Sequence, residues 1–419
     1  MGNGTLIIAG GALTDHAAEV FAAFVQAAGG PGKGFAVLPS ASSVPEESFA
    51  TVLGHLAGLG VAPDAVHLLR ASCRVPGWEG GAEDPQLVAL LEGCDGIWML
   101  GGDQNQIIRC LVRSDGSDTL LLDALRRRLA AGAVIGGTSA GAAVMSNPMI
   151  GGGTSFGALC LPRADGAGHT EISDALLVIP GLGFFSGGVV DQHFDARSRL
   201  GRLIEAAMIE DGARRPAFGI AEDSAMLWQA SSGSVTSIGA GGVYIADVRK
   251  ARRQVVHGQS RILGVILHYL SSGDSWNVQS GEFRFLDKQL LSPDDAYYAV
   301  QKPEASGVLS GYGQLRDFIA NFLLDNRPDC LFREAGLEAR SQTGQVTGNG
   351  ISTSSVSNGT GGYVRSYLIG MKDGRRLGWE LRFHRLPERT QAWTGKGIGF
   401  RDVIMDLLPV RLSIEEFLE

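Results

Sequence analysis

The sequence predicts an α/β protein whose core is a parallel sheet covered on both faces by helices. Three observations carry that expectation. Short apolar runs recur, each ended by glycine or small polar residues; stretches with helical spacing lie between them; and 60 glycines in 419 residues supply the tight turns that such alternation needs.

The elements follow in order. TLIIAGGA at 5–12 is a continuous apolar run closed by glycines, the pattern of a strand buried on both faces. VFAAFVQAAGG then reads as a helix, and FAVLPSAS at 35–42, AVHLLRA at 65–71 and GIWMLGGD at 96–103 as further strands. LLLDALRRRLAAG reads as another helix and leads into the strand AVIGGTSAG at 133–141. Beyond Met145, DALLVIPGLGFF, FGIAEDSAMLW and GGVYIADV read as strands and DARSRLGRLIEAAMIEDG as a helix. A first domain is therefore expected over residues 1–270 and an added C-terminal α+β domain over 271–419. Within the second, SQTGQVTGNGISTSSVSNGTGG at 341–362 has the composition of a long loop or linker, and Trp276, Tyr297, Tyr298 and Trp393 are expected in its core.

Charge and cysteine usage narrow the function. A net charge of −8 without a basic tail argues against nucleic acid as a partner, because backbone phosphates are bound by clustered Lys and Arg. Cys73, Cys94, Cys110, Cys160 and Cys330 are scattered, with neither a C-x-x-C pair nor histidines at zinc spacing, so neither a disulfide framework nor a metal site is expected. No apolar run approaches the roughly 18 residues of a membrane span, so no membrane partner is expected. A cytoplasmic protein is expected, or a secreted one if a leader has been removed.

In a parallel sheet, ligands bind beyond the carboxyl ends of the strands. Gly11, Ser40, Asp103, Gln104 and Ser139 fall at four such ends. GTSAG at 137–141 fits G-x-S-x-G, a sharp strand-to-helix turn that lifts a serine oxygen clear of the backbone, with the Ala140 N–H aimed at a developing oxyanion. GGDQ at 101–104 offers the Gly102 N–H as a second donor. A serine hydroxyl needs a base and a group to orient that base. His193, in VVDQHFDAR, stands where an apolar run meets a charged segment, beside Asp191 and Gln192. The orienting carboxylate could be Glu222 or Asp223 in FGIAEDSAM. Arg199 and Arg202 would share a helix face, Arg197 would stand at its start, and Glu205 could pair with Arg202 on the surface. AGGAL is not a dinucleotide fingerprint, and there is no Walker lysine or H-E-x-x-H, so no cofactor is implied.

Taken together, GGDQ, GGTSAGAAVMS, GLGFF, DQHFDARSRLGRL and GIAEDSA resemble the cyanophycinases, serine peptidases of a family that also contains aspartyl dipeptidase. The resemblance covers about residues 5–270. It implies a flavodoxin-like sandwich related to class I glutamine amidotransferase domains, assembled as a homodimer. It places the nucleophile on Ser139, the histidine on His193 and the acid on Glu222 rather than Asp223. Substrate contacts fall on Gln104, Asp191, Gln192, Arg197, Arg199 and Arg202. The implied reaction is exopeptidase cleavage of cyanophycin, a poly-aspartate bearing arginine on each side-chain carboxyl, to β-aspartyl-arginine. Arginines for carboxylates and an acceptor such as Asp191 for guanidinium groups suit such a substrate. The alternatives are an aspartyl dipeptidase and a noncatalytic binding protein on the same scaffold.

Overall fold

The computed structural model describes residues 4–164, 174–209, 214–291, 314–324, 355–356, 363–372, 375–386 and 389–410. Its first stretch runs β1 (Thr5–Ala9), α1 (Ala17–Ala27), β2 (Phe35–Leu38), α2 (Pro45–Gly58), β3 (Val66–Leu68), α3 (Pro85–Glu92), β4 (Gly96–Met99), α4 (Gln104–Leu111), α5 (Leu120–Ala130), β5 (Val134–Thr138) and α6 (Ala140–Ala143). The middle holds β6 (Met149–Gly152), α7 (Ser155–Cys160), β7 (Leu177–Ile179), β8 (Val189–Asp191), α8 (Leu200–Ala207), β9 (Ala217–Ile220), β10 (Ser224–Gln229), β11 (Ser234–Gly239), β12 (Val243–Asp247), β13 (Arg252–Val256) and β14 (Gln259–Leu270). There follow β15 (Ser275–Asn277), β16 (Phe283–Arg284), β17 (Lys288–Leu290), α9 (Gln314–Phe318) with a π-helical turn over Ile319–Leu324, β18 (Ser355–Val356), β19 (Tyr363–Lys372), β20 (Arg375–Arg385), β21 (Gln391–Gly395) and β22 (Gly397–Val410).

The apolar runs of the first stretch become five parallel strands in the order β3-β2-β4-β5-β1. Alternate side chains of each run enter different cores. Ile7, Val37, Trp98 and Val134 pack with Phe21 and Phe24 of α1 and Leu56 of α2; Leu6, Leu38, Ile97 and Ile135 pack with Leu91 of α3 and Leu121, Leu122 and Leu125 of α5. Both faces are therefore covered, as expected for strands with no polar side. The strand order refines the flavodoxin-like expectation. β3-β2-β4-β5 reproduces the first four strands of the 2-1-3-4-5 order, but β1, the first in sequence, occupies the place of the fifth. The sheet then continues antiparallel through β10, β11, β15 and β16.

A second sheet, largely antiparallel, follows the path β18-β19-β20-β22-β14-β12-β9-β8. Val190, Phe218, Ile220, Val243 and Ile245 on one face join the core beneath the first sheet, while Val189, Tyr244, Leu267 and Tyr269 on the other pack with α7, α8 and α9. β14 pairs with β22, so segments from both sides of residue 270 share this sheet.

Two local expectations need correction. FGIAEDSAMLW is not one strand: β9 and β10 belong to different sheets, and the chain reverses at Asp223, whose φ is +52°. Nor does the helix begin at Asp195, because residues 194–198 form turns, Ser198 has φ +55°, and α8 starts only at Leu200. Trp276 is buried, but in the core beneath the first sheet rather than in a separate C-terminal core, and Trp393 stacks on Phe285 with ring centroids 3.9 Å apart. Tyr297, Tyr298, His169, Cys330 and all of 341–362 except Ser355–Val356 lie outside the described residues. Among the described residues, no helix is long and apolar enough to cross a membrane.

Candidate active site

Because β1, β4 and β5 are parallel and adjacent through β5, their carboxyl ends bring Gly10–Gly11, Gly101–Gln104 and Ser139 to one edge. The turn after β5 is tight. A Cβ on Gly137 would stand 2.6 Å from the carbonyl oxygen of Gly141, and one on Gly141 would overlap the Met99 carbonyl, so only residues without side chains fit at these two positions of G-x-S-x-G. Ser139 itself has φ +53° and ψ −111°, a strained conformation for a residue with a Cβ. Its N–H donates to Ala9 at 3.1 Å, which anchors the elbow to the end of β1. Ala140 opens α6, so its N–H has no acceptor within the helix.

His193 follows β8 in the second sheet and reaches Ser139 from the other side. Its backbone N–H donates to Gly10 at 2.7 Å, and its φ is +45°. Its Nε2 lies 2.9 Å from Ser139 Oγ, and its Nδ1 lies 2.5 Å from Glu222 Oε1. Gly11, with φ +102°, passes directly against the ring, and a Cβ there would overlap the imidazole. Glu222 lies in the reversal between β9 and β10. The neighbouring Asp223 faces the opposite way, accepting from the N–H groups of Thr14 and His16, so it caps the loop after β1. The structure thus separates two carboxylates that the sequence alone leaves open.

Burial holds the His193 imidazole below its ordinary pKa. The Glu222 carboxylate works against that shift, and the Arg197 and Arg199 guanidiniums reinforce it. The ring is therefore biased toward the neutral form, with a carboxylate at Nδ1 that favours the tautomer leaving Nε2 free to accept from Ser139. This is a serine, base and acid in hydrogen-bond contact, the arrangement required of a nucleophile activated at neutral pH.

Gly102, with φ +136°, sits so close to Ala41 that a Cβ would overlap its carbonyl oxygen, while the N–H of Asp103 donates to that carbonyl at 3.1 Å. Gly101 borders Ser139, since a Cβ on it would lie 3.3 Å from the serine Cβ. Asp103 caps α4 and accepts from Arg74 and Gln106. Gln104 donates through Nε2 to Ile150 and Gly151 at 3.0 and 3.1 Å, tying α4 to β6. Ser40 is fully buried and donates to Ala71 in the loop after β3.

The arginine segment divides in two. Arg202 is 5% exposed and donates from Nε and Nη2 to the two carboxylate oxygens of Asp191, both at 2.7 Å; Asp191 is 1% exposed. Arg202 also donates to Gly153 at 2.6 Å. Arg199 donates to the carbonyl and side-chain oxygens of the buried Gln192, and burial pushes its pKa down to about 9. Arg197 is exposed. Arg199 precedes α8, so it shares no helix face with Arg202 as the sequence suggested. Glu205 is buried and pairs with Arg253 at 2.9 Å instead of with Arg202. Sequence reading passed over Ser155, whose hydroxyl donates to Ser198 at 2.5 Å and accepts from the N–H groups of Gly201 and Arg202, which fixes the start of α8. A serine forty residues away in sequence gives no local sign of such a role.

A family model described as peptidase family S51 matches residues 5–236. The cyanophycinase of Synechococcus elongatus is 32% identical over 283 residues, covering 66% of this chain and 78% of that protein. The cyanophycinase of Geminocystis herdmanii is 32% identical, covering 65% and 92%, and that of Nostoc sp. 30% identical, covering 65% and 85%. Among solved structures, a peptidase from an acI-B1 Actinobacterium superposes over 65% of this chain and 96% of its own, with a TM-score of 0.46 and 17% identity. With the family model spanning more than half of its length, the chain belongs to peptidase family S51, a family of serine peptidases.

Proposed function

We propose that the protein is a serine exopeptidase that cleaves cyanophycin to β-aspartyl-arginine, with Ser139, His193 and Glu222 as its triad. The observation that carries this reading is the continuous contact from Ser139 Oγ through the His193 ring to Glu222. Its substrate class is supported by the similarity to curated cyanophycinases. In this mechanism His193 Nε2 takes the Ser139 proton as the oxygen attacks the scissile carbonyl. Glu222 stabilises the imidazolium, and the N–H groups of Gly102 and Ala140 hold the oxyanion. His193 returns the proton to the leaving amine, and water then releases the acyl group by the same steps in reverse.

The side chains named for substrate divide by availability. In this reading the exposed Arg197 meets a substrate carboxylate. Asp191 and Arg202 satisfy each other, so their contribution is to hold the His193 segment, with Gln104, Gln192 and Arg199 shaping the walls.

The test incubates purified protein with cyanophycin granules and identifies soluble products by mass. Wild type is expected to release β-aspartyl-arginine and Ser139→Ala to release none. Equal release by Ser139→Ala would remove the triad from the reaction. Cleavage of free Asp-X dipeptides with the polymer left intact would make the protein an aspartyl dipeptidase, and no cleavage of either would leave a binding protein.

A further inference from the structure

The base and acid of the triad come from two separate segments of the second sheet, and their 2.5 Å contact requires that these segments be held at a fixed spacing. Backbone bonds supply part of that spacing: Phe194 donates to Ile220 at 3.1 Å, and Ala221 to Gly242 at 3.2 Å. A pair of tyrosines spans the rest. Tyr244 on β12 and Tyr269 on β14 are direct cross-strand partners with ring centroids 4.9 Å apart. Tyr244 packs its ring on Phe194, next to His193, and its hydroxyl lies 3.4 Å from Asp195 Oδ2. Asp195 in turn accepts from the N–H of Ala196 at 3.0 Å and so organises the turn that follows the histidine.

Tyr269 serves the acid. Its hydroxyl donates to the Gly241 carbonyl at 3.1 Å. Gly241 is wedged against Glu222, since a Cβ on it would lie 2.8 Å from the Glu222 carbonyl oxygen. The same turn donates from Gly241 and Gly242 to Ser224 Oγ, two residues beyond Glu222, at 2.6 and 3.0 Å. Burial raises the pKa of both phenols, that of Tyr269 to about 12, so each keeps the proton it donates.

We infer that Tyr244 and Tyr269 are positioning residues, a strut that sets the His193–Glu222 contact, and that Arg316 and Phe400 from the C-terminal segment brace it. Phe400 of β22 is the register partner of Tyr269 and stacks on it with centroids 5.7 Å apart. The Arg316 guanidinium carbon lies 5.9 Å over the same ring, and Asp317 anchors that guanidinium through two oxygens. Both tyrosines and both braces lie beyond residue 236, where the family model stops. Through Arg316 and Phe400 the C-terminal segment thus acts on the site by way of the tyrosines.

This inference rests on the triad reading, and the test separates the two. Ser139 is titrated with a fluorophosphonate probe, which reports serine activation without any assumption about substrate, from about pH 5 to 9. Proteins compared are wild type, Ser139→Ala, Tyr244→Phe, Tyr269→Phe, the double Phe variant and Arg316→Ala, each with its melting curve. His193 faces Glu222, Arg197 and Arg199, so loosening the Glu222 contact leaves burial and two cations acting on the ring. The double Phe variant is expected to label roughly 10- to 100-fold more slowly, the range that misplacement of a reacting group produces, with its acid limb moved to lower pH. Arg316→Ala, which leaves both tyrosines in place, is expected to move in the same direction by a smaller amount. Loss of packing alone would lower the melting temperature and leave the acid limb unmoved. Folded variants that label at the wild-type rate with the wild-type limb would overturn the strut while the triad stands. Wild type that does not label at Ser139 would overturn the triad reading, and the strut with it.

Discussion

His193 is surrounded by influences of opposite sign, which makes the site testable one side chain at a time. Burial is the largest and keeps the ring neutral; Glu222 favours the cation; Arg197 and Arg199 disfavour it. In the proposed mechanism His193 must be neutral to accept the Ser139 proton, so activity is expected above the His193 pKa and should be lost as pH falls through it. With that pKa depressed, the acid limb of kcat/KM is expected below the ordinary histidine value of about 6.5. Glu222→Gln removes the one influence that raises it. The limb should move lower still, and the plateau should fall on the order of 10²- to 10⁴-fold because the tautomer is no longer enforced. Arg197→Ala should move the limb slightly upward, less so at high salt since this side chain is exposed. A shift of both variants in the same direction would mean that these charges do not set the titration of His193.

In the proposed mechanism the loops between strands and helices carry the reaction, and their backbone leaves little room for change. Gly102 is the sharpest case, because its φ of +136° and the overlap that a Cβ would make with the Ala41 carbonyl both exclude a side chain. Gly102→Ala should shift the loop off the loop after β2, cost about 1–3 kcal/mol of stability from strain, and lower kcat roughly 10²-fold if its N–H holds the oxyanion. A kcat within a factor of two or so of wild type would remove Gly102 from the oxyanion hole. Loops of this kind were readable in advance because they are local: Ser139 announces itself in five consecutive residues, and the strands before it in runs of four or five apolar ones. The reversal at Asp223 was not, since FGIAEDSAMLW is apolar on both sides of a turn that depends on one positive φ. Composition likewise gave no sign that Asp191 closes on Arg202, because the pairing forms only when the turns over 194–198 delay the start of α8.

How the second sheet is assembled was the least visible part of the sequence, because β14 meets β22 across more than a hundred residues. Local hydrophobic pattern can mark those strands but cannot say which partner each will take. An ion pair ties this sheet to the first. Asp274, just before β15 of the first sheet, meets Lys288 of β17, which pairs with β21 of the second, at 2.5 Å with neither side chain exposing any surface. The carboxylate is otherwise fully engaged, accepting from the N–H of Leu286 and from the N–H and hydroxyl of Ser271. Burial nonetheless raises its pKa, with Lys288 opposing that rise. Lys288→Met should therefore strand a buried charge and cost about 3–5 kcal/mol in urea unfolding, whereas Asp274→Asn combined with Lys288→Met removes both charges and should recover part of that loss. Since Asp274 would then take up a proton to escape the penalty, the single variant should regain stability as pH falls toward the raised Asp274 pKa, opposite to the trend expected of an ordinary paired carboxylate. A cost under about 1 kcal/mol, the value of an exposed pair, would show that the sheets are held together by apolar packing and strand pairing alone.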